Sequence, residues 1–111
     1  MMRKANVYFK EKIAGIITET TEGYEFQYNN SYINSPGKIN PISLTLPIRH
    51  EIYYSPILFP FFDGLIPEGW LLNIAVNNWK IAARDRFGLL ITLCNDCIGA
   101  VSIIPIEINN E

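Results

Sequence analysis

Three sets of side chains in this sequence could carry chemistry: the single histidine His50, the pair Cys94 and Cys97, and the carboxylates Asp63 and Glu68. A Ser-His-Asp or Cys-His arrangement would have to be built around His50, because the chain has no other histidine. His50 stands in the charged stretch Ile48-Arg49-His50-Glu51, where a solvated loop histidine is the ordinary role, and it is not assigned to catalysis. Cys94-Asn95-Asp96-Cys97 has the spacing of redox and zinc sites. A redox pair usually opens a helix, whose dipole stabilises the thiolate, whereas this pair falls where a helix is predicted to end. A zinc site needs two more ligands than these cysteines supply. A small metal or redox protein using Cys94 and Cys97 therefore stays as the weakest alternative. Asp63 and Glu68 could form an acid–base pair, but their spacing across a helix start suits capping and dipole roles better. Neither G-x-x-x-x-G-K-[ST] nor G-x-G-x-x-G occurs, so no loop is marked out to cradle phosphates. No catalytic residue, metal ligand or cofactor is assigned.

The tryptophans carry a different kind of chemistry, that of recognition. Trp79 shares a helical stripe with Leu72, Ala75 and Val76 and reads as core. Trp70 lies nine residues before Trp79, and at 100° per residue it is rotated well away from that stripe. It is either a satellite contact of Phe61 or Phe62, or an exposed anchor for a partner, and tryptophan is a typical interface hot spot.

These residues depend on one stretch, Phe61-Phe62-Asp63-Gly64-Leu65-Ile66-Pro67-Glu68-Gly69-Trp70, where an apolar run meets the start of the longest helical segment. Pro67 has a φ suited to a first helical turn, and Glu68 sets a carboxylate beside the positive end of the dipole, so the pattern predicts a helix from Pro67 to about Ile81. Gly69 leaves room beside Trp70 for the ring to swing or for another backbone to approach. Upstream, Ala5 to Phe9 and Ile13 to Glu19 are rich in β-formers around the polar turn Lys10-Glu11-Lys12, which predicts a hairpin. Tyr24, Phe26 and Tyr28 alternate with polar residues and extend it into a meander. Asn29 to Asn40 reads as a loop anchored by Tyr32 and Ile33. Ile42, Leu44 and Leu46, bracketed by Pro41 and Pro47, read as a short edge strand, and Arg49 to Pro60 as an irregular apolar connection. Asp85 is placed to cap a second helix ending near Asn95, and Ala100 to Ile104 reads as a last strand. The predicted fold class is α+β, a small, mostly antiparallel sheet with two helices packed on one side.

Composition sets outer limits. The 111 residues suit one domain, expected to span 1–111, and 49% hydrophobic against 18% charged residues makes it globular. A net charge of -2 argues against general binding to a phosphate backbone, so no direct nucleic-acid contact is expected. No apolar run approaches the roughly 20 residues a bilayer requires, and the N-terminus lacks a signal-like apolar stretch. The expected location is the cytoplasm.

Four stretches in register carry a family resemblance. Phe61 to Gly69 resembles the FF-x-x-L-x-P-E-G segment of the N-terminal subdomain of HipA-type serine/threonine kinase toxins. Val7 to Gly15 looks like that subdomain's opening hairpin, Pro41 to Pro47 like its P-I-S-L-S-L-P strand, and Asp85 to Ser102 like its D-x-F-x-L-L…D-C-x-G-A-V-S close. The kinases continue for some three hundred residues beyond this subdomain, whereas this sequence stops at Glu111. A detached copy is similar to the HipS-type antitoxins of tripartite toxin–antitoxin systems. The resemblance implies a non-catalytic protein that binds and inhibits a HipT-like kinase toxin, with a HipB-like DNA-binding protein as a third subunit that the sequence leaves open. In the family the subdomain packs beside the nucleotide and activation-loop region of the kinase, which suggests an inserted side chain. The residues expected to face the partner are Phe62, Asp63, Pro67, Glu68, Gly69, Trp70 and Asn73. A structural or activating subunit that completes a split kinase is the main alternative.

Overall fold

The computed structural model describes residues 3–66, 77, 84–94 and 100–106. Five strands, β1 (Lys4–Phe9), β2 (Lys12–Glu19), β3 (Tyr24–Tyr28), β4 (Tyr53–Ser55) and β5 (Val101–Ile106), form one antiparallel sheet in the order β4-β3-β2-β1-β5. The helical segments that lie wholly within the described residues are α1 (Asn30–Ile33), α2 (Pro60–Asp63) and α3 (Arg86–Leu93). The fold class is α+β, as the patterning predicts.

The β1–β2 hairpin turns at Lys10, whose φ of 58° is the left-handed conformation that closes a tight turn, and whose N–H donates to the Ala100 carbonyl at 2.6 Å. Register shifts between Val7 and Tyr8: Val7 pairs with Gly15 but Tyr8 with Ile13, so Ala14 is the extra residue of a bulge. The bulge brings Ala14 and Gly15 both to the buried side. At Gly15 a Cβ would lie 2.3 Å from the Gln27 carbonyl oxygen and 2.9 Å from the Phe26 ring, so this close strand approach requires glycine.

One face of the sheet builds the core with Ala5, Val7, Ile17, Phe26, Tyr28 and Ile103, and α3 covers it with Phe87, Leu89 and Leu90. Phe62 sits at the centre of an aromatic cluster, its ring 5.6 Å from Phe26, 6.0 Å from Phe59 and 5.2 Å from Phe61. The tilted and edge-on arrangements match the ring quadrupoles. Asp85 caps α3 as expected, its carboxylate accepting from the Gly88 N–H at 3.1 Å, and the helix ends at Leu93 with Cys94 as its cap. The Cys94 carbonyl accepts from Ile103 N–H at 2.8 Å, which ties the helix end to β5.

The middle of the chain departs from the sequence reading. Residues 42–46 form no strand but a tight turn with a single bridge between Ser43 and Leu46. The flanking prolines lack ladder donors, and Ser43 Oγ accepts from Thr45 N–H at 3.1 Å, which closes the turn locally. Ile42 and Leu46 are therefore buried while Leu44 is 93% exposed, the opposite of what alternation implies. Residues 49–60, read as irregular, contain β4 and the first residue of α2; three residues of strand are too few for a period to show. Tyr53 anchors β4 by donating to the Pro47 carbonyl at 2.6 Å, with Arg49 stacked 3.6 Å from its ring centroid. Within the Asn-rich loop, α1 forms one helical turn around the buried Tyr32. The last strand runs two residues beyond its expected end, through Pro105, which an edge strand tolerates. The helix expected from Pro67 to about Ile81 lies outside the described residues except at Asn77, which is helical and exposed.

Candidate partner-binding site

Of the seven residues expected to face a partner, Phe62 and Asp63 are described; Pro67, Glu68, Gly69, Trp70 and Asn73 lie outside the described residues, as do Trp79 and Cys97. Phe62 requires a correction. It is fully buried in the aromatic cluster, so its side chain belongs to the core and cannot meet a partner. In the sequence, Phe61 and Phe62 are indistinguishable; helix α2 decides between them by turning Phe62 inward and leaving Phe61 half-buried.

Asp63 is half-exposed at the end of α2, and its carboxylate accepts from Arg86 Nε at 2.7 Å. Its observed partner is thus on α3. Beyond it, Leu65 N–H donates to the Phe62 carbonyl at 3.0 Å and Ile66 N–H to the Asp63 carbonyl at 3.2 Å, while Ile66 is buried. The Cys94 thiol donates to the Leu65 carbonyl at 3.3 Å. The segment that leads into Pro67 is therefore fastened to α3 at both of that helix's ends, by Asp63–Arg86 at its start and Leu65–Cys94 at its finish. Cys94 is buried at a helix terminus with its thiol on a backbone carbonyl, whereas reactive cysteines are partly exposed.

A second set of charges holds α3 to the sheet. Arg3 places Nε and Nη2 on the two Glu19 oxygens at 2.7 and 2.8 Å, and Nη1 and Nη2 on the two Asp85 oxygens at 3.1 and 2.9 Å. The Arg3 guanidinium also lies 5.4 Å from the Phe87 ring centroid. Hydrogen bonds from Arg3, with a further one from Gly88 N–H, hold the Asp85 carboxyl below its ordinary range, and burial works in the opposite direction. The Arg3 guanidinium is held correspondingly more firmly charged by Glu19 and Asp85. Gly88 is what lets the groups meet: a Cβ there would stand 2.3 Å from Asp85 Oδ2 and 3.2 Å from Arg3 Nη1. Arg3, Glu19 and Arg86 gave no signal in the sequence, because their partners lie 82, 16 and 23 residues away and no local periodicity links them.

A third constraint fixes the loop before the site. The Tyr28 hydroxyl accepts from Ile42 N–H at 3.0 Å and donates to the Leu46 carbonyl, so a single phenol from β3 clamps both sides of the turn that carries Leu44. Burial pushes the Tyr28 phenol up to about 12, partly offset by the bond from Ile42. His50 is exposed in a loop, with Nδ1 3.2 Å from Asn30 Oδ1.

The geometry defines a class: among the described residues, an antiparallel sheet with a buried face, ion pairs that hold α2 and α3 in place, a fastened segment and a turn that exposes Leu44. The chain belongs to the HipA N-terminal domain family, whose model matches residues 5–104. It is similar to a solved structure described as the "N-terminal domain of HipA toxin", with a TM-score of 0.72 and 29% identity over 96% of this chain and 95% of that one. Among curated relatives, it is 32% identical to an "Uncharacterized protein" of Haemophilus influenzae over 93% of this chain and 92% of the relative. It is also 29% identical to the "Putative kinase Y4mE" of Sinorhizobium fredii, matching 94% of this chain but only 25% of that protein. The relation is thus to the N-terminal domain of a toxin-kinase family and not to the remainder of a kinase. Among the described residues, no helix is long and apolar enough to cross a membrane.

Proposed function

We propose that this chain is a cytoplasmic, single-domain, non-catalytic antitoxin that binds a HipT-like serine/threonine kinase toxin and holds it inactive. The observation that carries the reading is the contrast in coverage: the same domain makes up a quarter of a relative named as a kinase and nearly all of a relative of about this length. The domain therefore occurs both joined to a much larger remainder and in a chain of its own size, as expected of a piece able to act on a kinase from outside. In this reading the contact runs from Asp63 through Pro67, Glu68, Gly69 and Trp70 to Asn73, with Trp70 as the inserted side chain. The fastened segment at 63–66 supports it, because a tip launched from a fixed base loses less conformational freedom on binding. A HipB-like DNA-binding protein is the natural third subunit.

The experiment is a phosphorylation assay of the kinase expressed alone and with this chain. Inhibition that saturates near equal stoichiometry is expected. Stimulation would instead establish the second reading, a subunit that completes a split kinase, which the same coverage contrast permits. No effect in either direction would refute both.

A further inference from the structure

At the hairpin end of the molecule, a cleft of about 410 Å³ opens between the β1–β2 turn and the loop after α1. Phe9, Tyr32 and Ile39 contribute to its lining, together with three lysines, Lys10, Lys12 and Lys38. The volume lies within the usual span of ligand sites, roughly 300–1,000 Å³. Both walls are held: the Lys10 backbone by its bond to Ala100, and the far wall by the Tyr32 hydroxyl donating to the Asn40 carbonyl at 2.5 Å. The three ammonium groups are exposed, and among the described residues none forms an ion pair; the pairs present are made by Arg3 and Arg86. A third of the nine cationic residues of a net-negative chain thus surround one cleft, with Glu11 the one carboxylate on its lining.

We propose that this cleft is a docking site for a short acidic peptide segment of a partner protein, an apolar side chain seated against Phe9 and Ile39 and its carboxylates facing the lysines. Charge complementarity chooses the sign of the occupant. The three lysines act as separate point charges on flexible stems, which suits carboxylates spread along a peptide. The state of Tyr32 argues against a nucleobase: its ring is 4% exposed and stacked on Tyr28 at an interplanar angle of 10°, so its face is already used. The site is distinct from the Asp63 region. Arg3, which binds Asp85 next to Arg86, precedes β1, while Lys10 follows it, a separation of about 24 Å along the strand. It neither requires nor excludes the kinase reading.

The test titrates the full-length, ¹⁵N-labelled chain with an end-capped hexapeptide of alternating Glu and Leu and follows its amide resonances. Saturable shifts confined to residues 10–12 and 38–40, weakened about tenfold or more by raising salt, are expected. They should disappear with the matching Gln/Leu peptide and in the triple variant Lys10→Glu, Lys12→Glu, Lys38→Glu, whose unchanged melting temperature shows it folded. Overturning results are shifts that are absent, spread over the sheet, or equal with the Gln/Leu peptide. Equal or tighter binding of pyrophosphate or of oligothymidylate would likewise overturn the peptide assignment in favour of a small anion or a nucleic acid.

Discussion

At the scale of the residue, the account rests on a few polar groups with several partners each. Tyr28 is one. Replacing it with Phe leaves Ile42 N–H and the Leu46 carbonyl without their buried partner, which should cost about 1–3 kcal/mol in chemical denaturation and loosen the turn that displays Leu44. Asp85 is another, acting as both helix cap and ion-pair partner. Because Arg3 lowers its folded-state pKa, the folded chain binds that proton less readily than the unfolded chain does. The stabilisation is therefore present above the ordinary carboxylate value of about 3.9 and is lost as pH falls through the folded value. Melting temperatures measured across that acid range should fall for the wild type and fall less for Arg3→Met. At neutral pH, Asp85→Asn keeps a capping oxygen, so it should be milder than Asp85→Ala by about 1 kcal/mol. Equal losses in the two variants would show that the cap contributes nothing.

At the scale of the element, Gly88 separates local from tertiary reasoning. Alanine is favoured over glycine within a helix by about 1 kcal/mol, so propensity predicts that Gly88→Ala stabilises α3. The crowding at Asp85 and Arg3 predicts the reverse: a lower melting temperature, with loss of the acid-range dependence described above. A more stable variant would mean that the network yields without cost. The same division explains what could be read in advance. β1, β2, β3 and the cap of α3 were legible because each obeys a local rule of alternation, turn chemistry or capping. The 42–46 turn was misread because Ile42, Leu44 and Leu46 alternate faithfully while Pro41, Pro47 and the Ser43 hydroxyl fold the backbone back. β4 was missed because three residues carry no period, and its place beside β3 is set by a distant strand.

At the scale of the whole molecule, the family and fold class could be read from motifs in register, whereas the arrangement of the site could not. Phe62 shows why: its motif position marked it for a partner, yet the aromatic cluster takes it into the core. Asp63, half-exposed and paired with Arg86, remains at the edge of the proposed contact. The central claim is that Trp70, beyond this fastened base, enters the partner kinase. The most direct test measures kinase inhibition and thermal unfolding together for Trp70→Ala, with Trp79→Ala as the control expected to be destabilised. An interface tryptophan of this kind costs about 2 kcal/mol or more when truncated, which corresponds to a loss of well over tenfold in affinity. The account predicts a Trp70→Ala protein that melts within a degree or two of the wild type and no longer suppresses phosphorylation. A folded Trp70→Ala protein that inhibits as well as the wild type would contradict it, and so would one whose lost inhibition is matched by a melting temperature lower by several degrees.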